Sequence, residues 1–160
     1  MGTQQLLLIV LGVIIVGIAI AVGITIFNNQ AYNSNQQAVA SELNNYASMV
    51  QQWWKTPEAQ GGAGQDSANL DVADIATWLG FNETGNMLTT DNGQFLVASA
   101  TPGTSTTANT VVLIGAGNEE RSTGTTPFPE ITTTIDLDTG DITSVVGTDA
   151  DGVPDVTTGS

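Results

Sequence analysis

The chain has 160 residues, sixteen of them acidic against only Lys55 and Arg121, with no histidine and no cysteine, for a formal net charge of −14. Such a surface repels a polyanion, so nucleic acid is excluded as an expected partner, and the absence of cysteine excludes disulfides and thiolate chemistry. The commonest general base is missing too, no G-x-S-x-G, phosphate-binding glycine loop or H-E-x-x-H occurs, and the inventory predicts a protein that is not an enzyme.

Leu6 to Phe27, LLLIVLGVIIVGIAIAVGITIF, carries no charge and, apart from three glycines and Thr25, only apolar side chains. As a helix it is about 33 Å long, close to the roughly 30 Å hydrocarbon core of a bilayer. A helix apolar on every side suits the interior of a large protein assembly equally well. The rest of the chain is only about a third apolar, which predicts a thin core for the globular part. Within the run, Gly17 with Ala21 and Ala19 with Gly23 form small-xxx-small pairs, and together with Gly12 they let helix backbones approach closely, the expected packing contacts of a helix bundle. Gly12, Gly17 and Gly23 each lower helix propensity by about 1 kcal/mol relative to alanine, which leaves room for a local loosening between Gly12 and Gly17. Met1 to Gln5 contain no Lys or Arg, and the run exceeds the apolar length of a signal peptide, so the segment is read as mature, with Met1 or Gly2 retained.

After Phe27 polar residues enter while Tyr32, Val39, Leu43, Tyr46, Val50 and Trp53 recur at intervals of seven, four, three, four and three, an apolar stripe of helical period. Tyr46, Val50 and Trp53 are the expected contacts between this helix and the head, which also makes packing the better reading of Trp53-Trp54 than an aromatic platform. No proline occurs before Pro57, and Gly61-Gly62 follow, so one helix of about 50 residues ends near Lys55 or Thr56. The expected organisation is a long helix over 1–56, a Gly-rich loop over 57–69 and a β-rich head with an acidic tail over 70–160. In the head, Leu70, Ile75, Trp78 and Leu79 lie on a short helical pattern capped by Asn69 or Asp71 and closed by Gly80. Period-two segments then predict strands at Met87 to Thr90, Gln94 to Ala100, Thr110 to Ile114, Ile131 to Leu137 and Ile142 to Val146, with Asp91-Asn92-Gly93, Thr101-Pro102-Gly103, Gly115-Ala116-Gly117 and Asp138-Thr139-Gly140 as turns. The fold class is α+β: a long N-terminal helix, apolar then amphipathic, on a small C-terminal antiparallel sheet.

A glycine-punctuated apolar helix, its amphipathic continuation NNYASMVQQWW, a glycine-rich loop and a C-terminal β domain resemble the type IV pilin superfamily over the whole chain. Members carry a basic leader ending in glycine and a glutamate five residues after the cut; here Gly2 follows no basic residue and Leu7 stands at the glutamate position. The resemblance implies a homopolymer with bundled apolar helices inside and β domains outside. It also implies a membrane stage before assembly, export and assembly machinery as partners, and an extracellular filament on the cell surface reached through the inner membrane. Two other readings stay open: a single-pass membrane protein displaying an acidic β domain, and a low-copy pseudopilin of a secretion apparatus. Against the first of these, no Lys or Arg flanks the apolar run before Lys55.

Two softer signals concern ligands and modification. No cofactor is expected, but Asp149, Asp151 and Asp155 in the tail resemble the aspartate-rich calcium loops of thrombospondin type 3 repeats. Calcium takes 6 to 8 oxygens, and Asp136, Asp138 and Asp141 are expected to add theirs if the tail folds back; the alternative is a plain acidic tail. Asn82-Glu83-Thr84 is the one N-x-[ST] sequon, making Asn82 the candidate glycosylation site.

Overall fold

The computed structural model describes residues 2–82, 85–121, 128–149 and 153–154. Helix α1, Gly2–Lys55, is continuous for 54 residues, without a loosened turn at Gly12 to Gly17. At about 1.5 Å per residue it is roughly 80 Å long. It stops where the sequence stops it: Pro57 has no N–H to continue the ladder, and the Thr56 N–H closes the last turn on the Gln52 carbonyl at 3.0 Å. Two 3₁₀ turns, Glu58–Gln60 and Ser67–Asn69, carry the glycine-rich connection.

Helix α2, Val72–Leu79, is capped by Asp71, whose carboxylate accepts from the Ala73 N–H at 2.7 Å, and ends on Gly80 in the left-handed region at φ 77°. Ile75, Ala76 and Leu79 face the core. Trp78 does not, although the sequence pattern groups it with them: it sits at the border of that face and is 37% exposed.

The sheet has five antiparallel strands in sequential order: β1 Met87–Thr89, β2 Gly93–Thr101, β3 Thr110–Gly117, β4 Phe128–Asp136 and β5 Ile142–Asp149. Helix α1 lies across β3 and β4 in an α+β arrangement, as the hydrophobic periods predict. The core between them holds Val39, Leu43, Val50 and Trp53 from α1 with Ile75, Phe95, Val97, Val111, Leu113, Ile131 and Ile135.

Gly115-Ala116-Gly117, expected as a turn, is instead the last part of β3, paired with β2 on one side and, through Gly115 and Ala116, with β4 on the other. The glycines are there because α1 presses on the strand. A Cβ on Gly115 would meet the Phe95 ring and Val39 at 2.9 Å, and one on Gly117 would collide with the Asn35 side chain. Close helix approach, rather than a chain reversal, is what the missing side chains serve. Strand β4 likewise begins earlier than its β-branched run, at Phe128, and Leu137 lies beyond it in the turn.

Candidate functional site

The amphipathic half of α1 fixes the head to the rod. Tyr32, Asn35, Val39, Leu43, Ala47, Val50, Trp53 and Trp54 are buried, and from Tyr32 to Trp53 they recur every three or four residues along one face. Tyr46 is half-buried, its ring edge-on to Phe81 at 5.2 Å and to Phe95 at 5.3 Å between centroids. Burial, then the neighbouring Glu42 carboxylate, holds the Tyr46 hydroxyl above its ordinary range. Val50 is fully buried and Trp53 is 1% exposed, with Trp54 at 4% beside it.

Polar contacts pin both ends of this contact face. Asn35 donates to the Asn92 carbonyl at 2.7 Å and to Asn118 Oδ1 at 3.0 Å, tying α1 to the loops at the ends of β1 and β3. Glu42 accepts from Thr90 Oγ1 at 3.2 Å and from Asn92 Nδ2. Further along, Gln51 donates to the Gly140 carbonyl in the β4–β5 turn at 2.6 Å. The Arg121 guanidinium lies 4.8 Å over the Tyr32 ring, adding a cation–π contact near the point where burial begins.

Toward the N-terminus the helix leaves the head. Every residue from Gly2 to Phe27 is exposed, including Leu7 at 70% and Phe27 at 74%. A Cβ added at Gly12, Gly17 or Gly23 would meet no atom within 4 Å. The Thr25 hydroxyl donates back to the Ala21 carbonyl at 3.1 Å, so the one polar side chain of the run is satisfied within the helix. Among the described residues α1 is the one helix long and apolar enough to cross a membrane.

The small residues fall into two rows. At about 100° per residue, Gly12, Ala19 and Gly23 lie within about 20° of one line, whereas Gly17 and Ala21 lie on nearly the opposite side. Close approach is thus open on two faces of the same rod.

The ligand and modification candidates sit elsewhere. Asn82 is exposed and its N–H bonds the Met87 carbonyl at 2.9 Å; Glu83 and Thr84 of the sequon lie outside the described residues. Asp149 is the last residue of β5, in register with Phe128, while Asp151 and Asp155 lie outside the described residues. The hairpin carboxylates expected to help them stand beyond the other end of the strand, with Asp141 and Asp136 eight register steps from Asp149, or about 26 Å at 3.3 Å per residue. They also have local work. Asp136 accepts from the Asp138 and Thr139 N–H groups, and Asp138 accepts from the Asn109 side chain and backbone, which hold its carboxyl below the usual range. The geometry therefore separates Asp136, Asp138 and Asp141 from the start of the tail.

Sequence reasoning missed Asn35 and Ala47 as members of the helix-to-head face, while Trp54 is buried beside Trp53 as its packing reading expects. The interval of seven between Tyr32 and Val39 marks the gap that Asn35 fills, and a polar residue at a core position of a stripe is the signal that could have found it. No family model, curated protein or solved structure matches the chain, so the functional reading rests on this geometry.

Proposed function

We propose that the chain is the structural subunit of an extracellular pilus-like filament, in which the apolar halves of α1 bundle at the centre and the β heads form the outer surface. The observation that carries this reading is a single unbroken helix whose first half is apolar on all sides and wholly exposed, while its second half is built into the core of the head. Left in water, that first half would forgo tens of kcal/mol of gross burial at about 25 cal/mol per Å². A bundle of identical helices supplies the burial, and the two small-residue rows supply close contact on opposite sides.

Lipid supplies the same burial, which is why the membrane-anchored reading stands second: α1 meets the length and composition of a span. The two readings differ in what the small residues do. Lipid tails are as apolar as leucine, so a subunit leaving the bilayer for a polymer gains little from burial alone and depends on helix–helix packing. A solitary anchor has no use for that packing. In this reading the protein acts structurally, with no catalytic step assigned to it, and its partners are copies of itself, the membrane before assembly and an export and assembly apparatus.

The test is electron microscopy of sheared surface material together with an immunoblot of filament and membrane fractions. Filaments containing the intact chain support the proposal. Subunit confined to the membrane fraction, with no filaments, overturns it in favour of the anchor.

A further inference from the structure

Among the described residues strand β5 is an edge of the sheet, paired with β4, and from Ile142 to Gly147 its side chains are exposed. Ile131, Thr133 and Ile135 of β4 are at most 1% exposed beneath the helix. Their register partners Val146, Ser144 and Ile142 share that side of the sheet but are exposed, Val146 at 58%. On the other side Val145 is 63% exposed. Both faces of the strand thus present β-branched side chains to solvent, and among the described residues no strand pairs with the backbone N–H and C=O groups of its outer edge. Edge strands are ordinarily guarded by lysine, proline, a bulge or an internal charge. Between Asp141 and Asp149 the sequence ITSVVGT has no charge and no proline, and the β4–β5 register runs without a bulge from Ile135↔Ile142 to Phe128↔Asp149.

We propose that β5 pairs antiparallel with β5 of a second copy of this chain, joining two heads through one continuous sheet. A strand edge is completed by another strand edge, and the opposite edge, β1, has three residues, too few to offer a comparable ladder. Charge selects a copy as the partner. A cationic protein would be drawn to the acidic surface of a chain carrying −14, whereas an uncharged apolar strand is where two such chains approach with least repulsion. The contact is isologous, with a twofold axis through the sheet.

The uncharged run sets the centre of the contact. The axis keeps each side chain on its own side of the sheet, so centring on Val145, the middle of ITSVVGT, sets Val145 opposite itself. Ser144 then faces Val146 of the second copy and Ile142 faces Thr148. Each copy carries −14, a like-charge repulsion that opposes the contact at low salt. Pairing therefore strengthens as the Debye length falls from about 10 Å at 0.1 M to about 3 Å at 1 M ionic strength. Because α1 lies along the sheet, from Asn35 at Asn92 and Asn118 to Gln51 at Gly140, this axis sets the two α1 rods antiparallel, so the contact joins heads of two separate filaments or micelles rather than neighbours in one.

The chain lacks cysteine, so single-cysteine variants of the full chain in detergent micelles report the contact directly. Opposed Cα atoms about 4.5–5.5 Å apart lie within disulfide reach. Val145→Cys is expected to form covalent dimer on oxidation at least ten times faster than Thr143→Cys, on the same side of the strand but opposite Gly147, or Ser105→Cys in an exposed turn. Molar salt should widen the difference, and adding Val146→Asp to Val145→Cys should remove it while the head still melts cooperatively. Equal rates at the three positions, as crowding through α1 in the micelle would give, overturn the proposal; so does faster dimer at Thr143→Cys.

Discussion

The two halves of α1 share one backbone and one helical geometry yet obey different rules. From Tyr32 to Trp53 the helix is apolar along a stripe, and the sheet covers that stripe; from Leu6 to Phe27 it is apolar on every side, and nothing in the same chain covers it. The lesson is that periodicity tells a helix where its own chain will pack, whereas the loss of periodicity says that the packing partner lies outside the chain. Thr25 and Asn35 make the point at single residues. Thr25 turns its hydroxyl back onto Ala21, as a side chain must where no polar neighbour will come, while Asn35 reaches out to Asn92 and Asn118.

Substitutions that treat the halves differently break this comparison most sharply. Ile18→Asp puts a charge into the all-apolar half, where a bundle cannot solvate it, and is expected to abolish filaments, more than a hundredfold by filament mass per cell. The melting of the detergent-held head should be unchanged, since Ile18 is 60% exposed and touches none of it. Leu43→Ala in the other half should do the reverse. Leu43 is fully buried, so its loss should cost the head about 2–5 kcal/mol in a denaturant melt, with filament yield falling only as far as folded head is lost.

Gly17→Leu is a gentler probe of the apolar half. It keeps hydropathy and removes close approach on one of the two small-residue faces, so filament mass should fall several-fold while membrane-held subunit persists on an immunoblot. Wild-type yield would mean that apolarity, not packing, holds the subunits.

The smallest expected effect lies in the head. Asn109 holds the Asp138 carboxyl below its usual range, so the ionised form is favoured in the folded state. That contribution is present above the unfolded pKa and is lost as pH falls through the folded one. Asn109→Ala removes the side-chain bond but keeps the backbone N–H bond, so by NMR titration Asp138 should move up toward the ordinary carboxylate range without fully reaching it. Its cost in head stability should be small at neutral pH, because Asp138 is exposed, and should shrink as pH falls below the folded pKa.

Much of this architecture is written in local pattern. The end of α1 follows from Pro57, the cap of α2 from Asp71 and Gly80, and all five strands from β-branched residues at period two. What local pattern could not give is where elements press together. Gly115-Ala116-Gly117 reads as a turn because glycine usually marks one, and only the position of Val39, Asn35 and Phe95 above the strand shows why side chains are absent there. Trp78 reads as core for a similar reason: short-helix spacing cannot tell the middle of a buried face from its border. The apolar half of α1 was legible in composition, but what covers it was not, because a single chain records only the exposed apolar rod and the small residues on two of its sides.

Helical reconstruction of the assembled polymer tests the central claim most directly. The account predicts density for residues 6–27 packed as a bundle around the filament axis, with Gly12, Gly17 and Gly23 at helix–helix contacts and the heads outside. Filaments whose axis is occupied by the β heads, or surface material in which this segment remains in lipid, would contradict it.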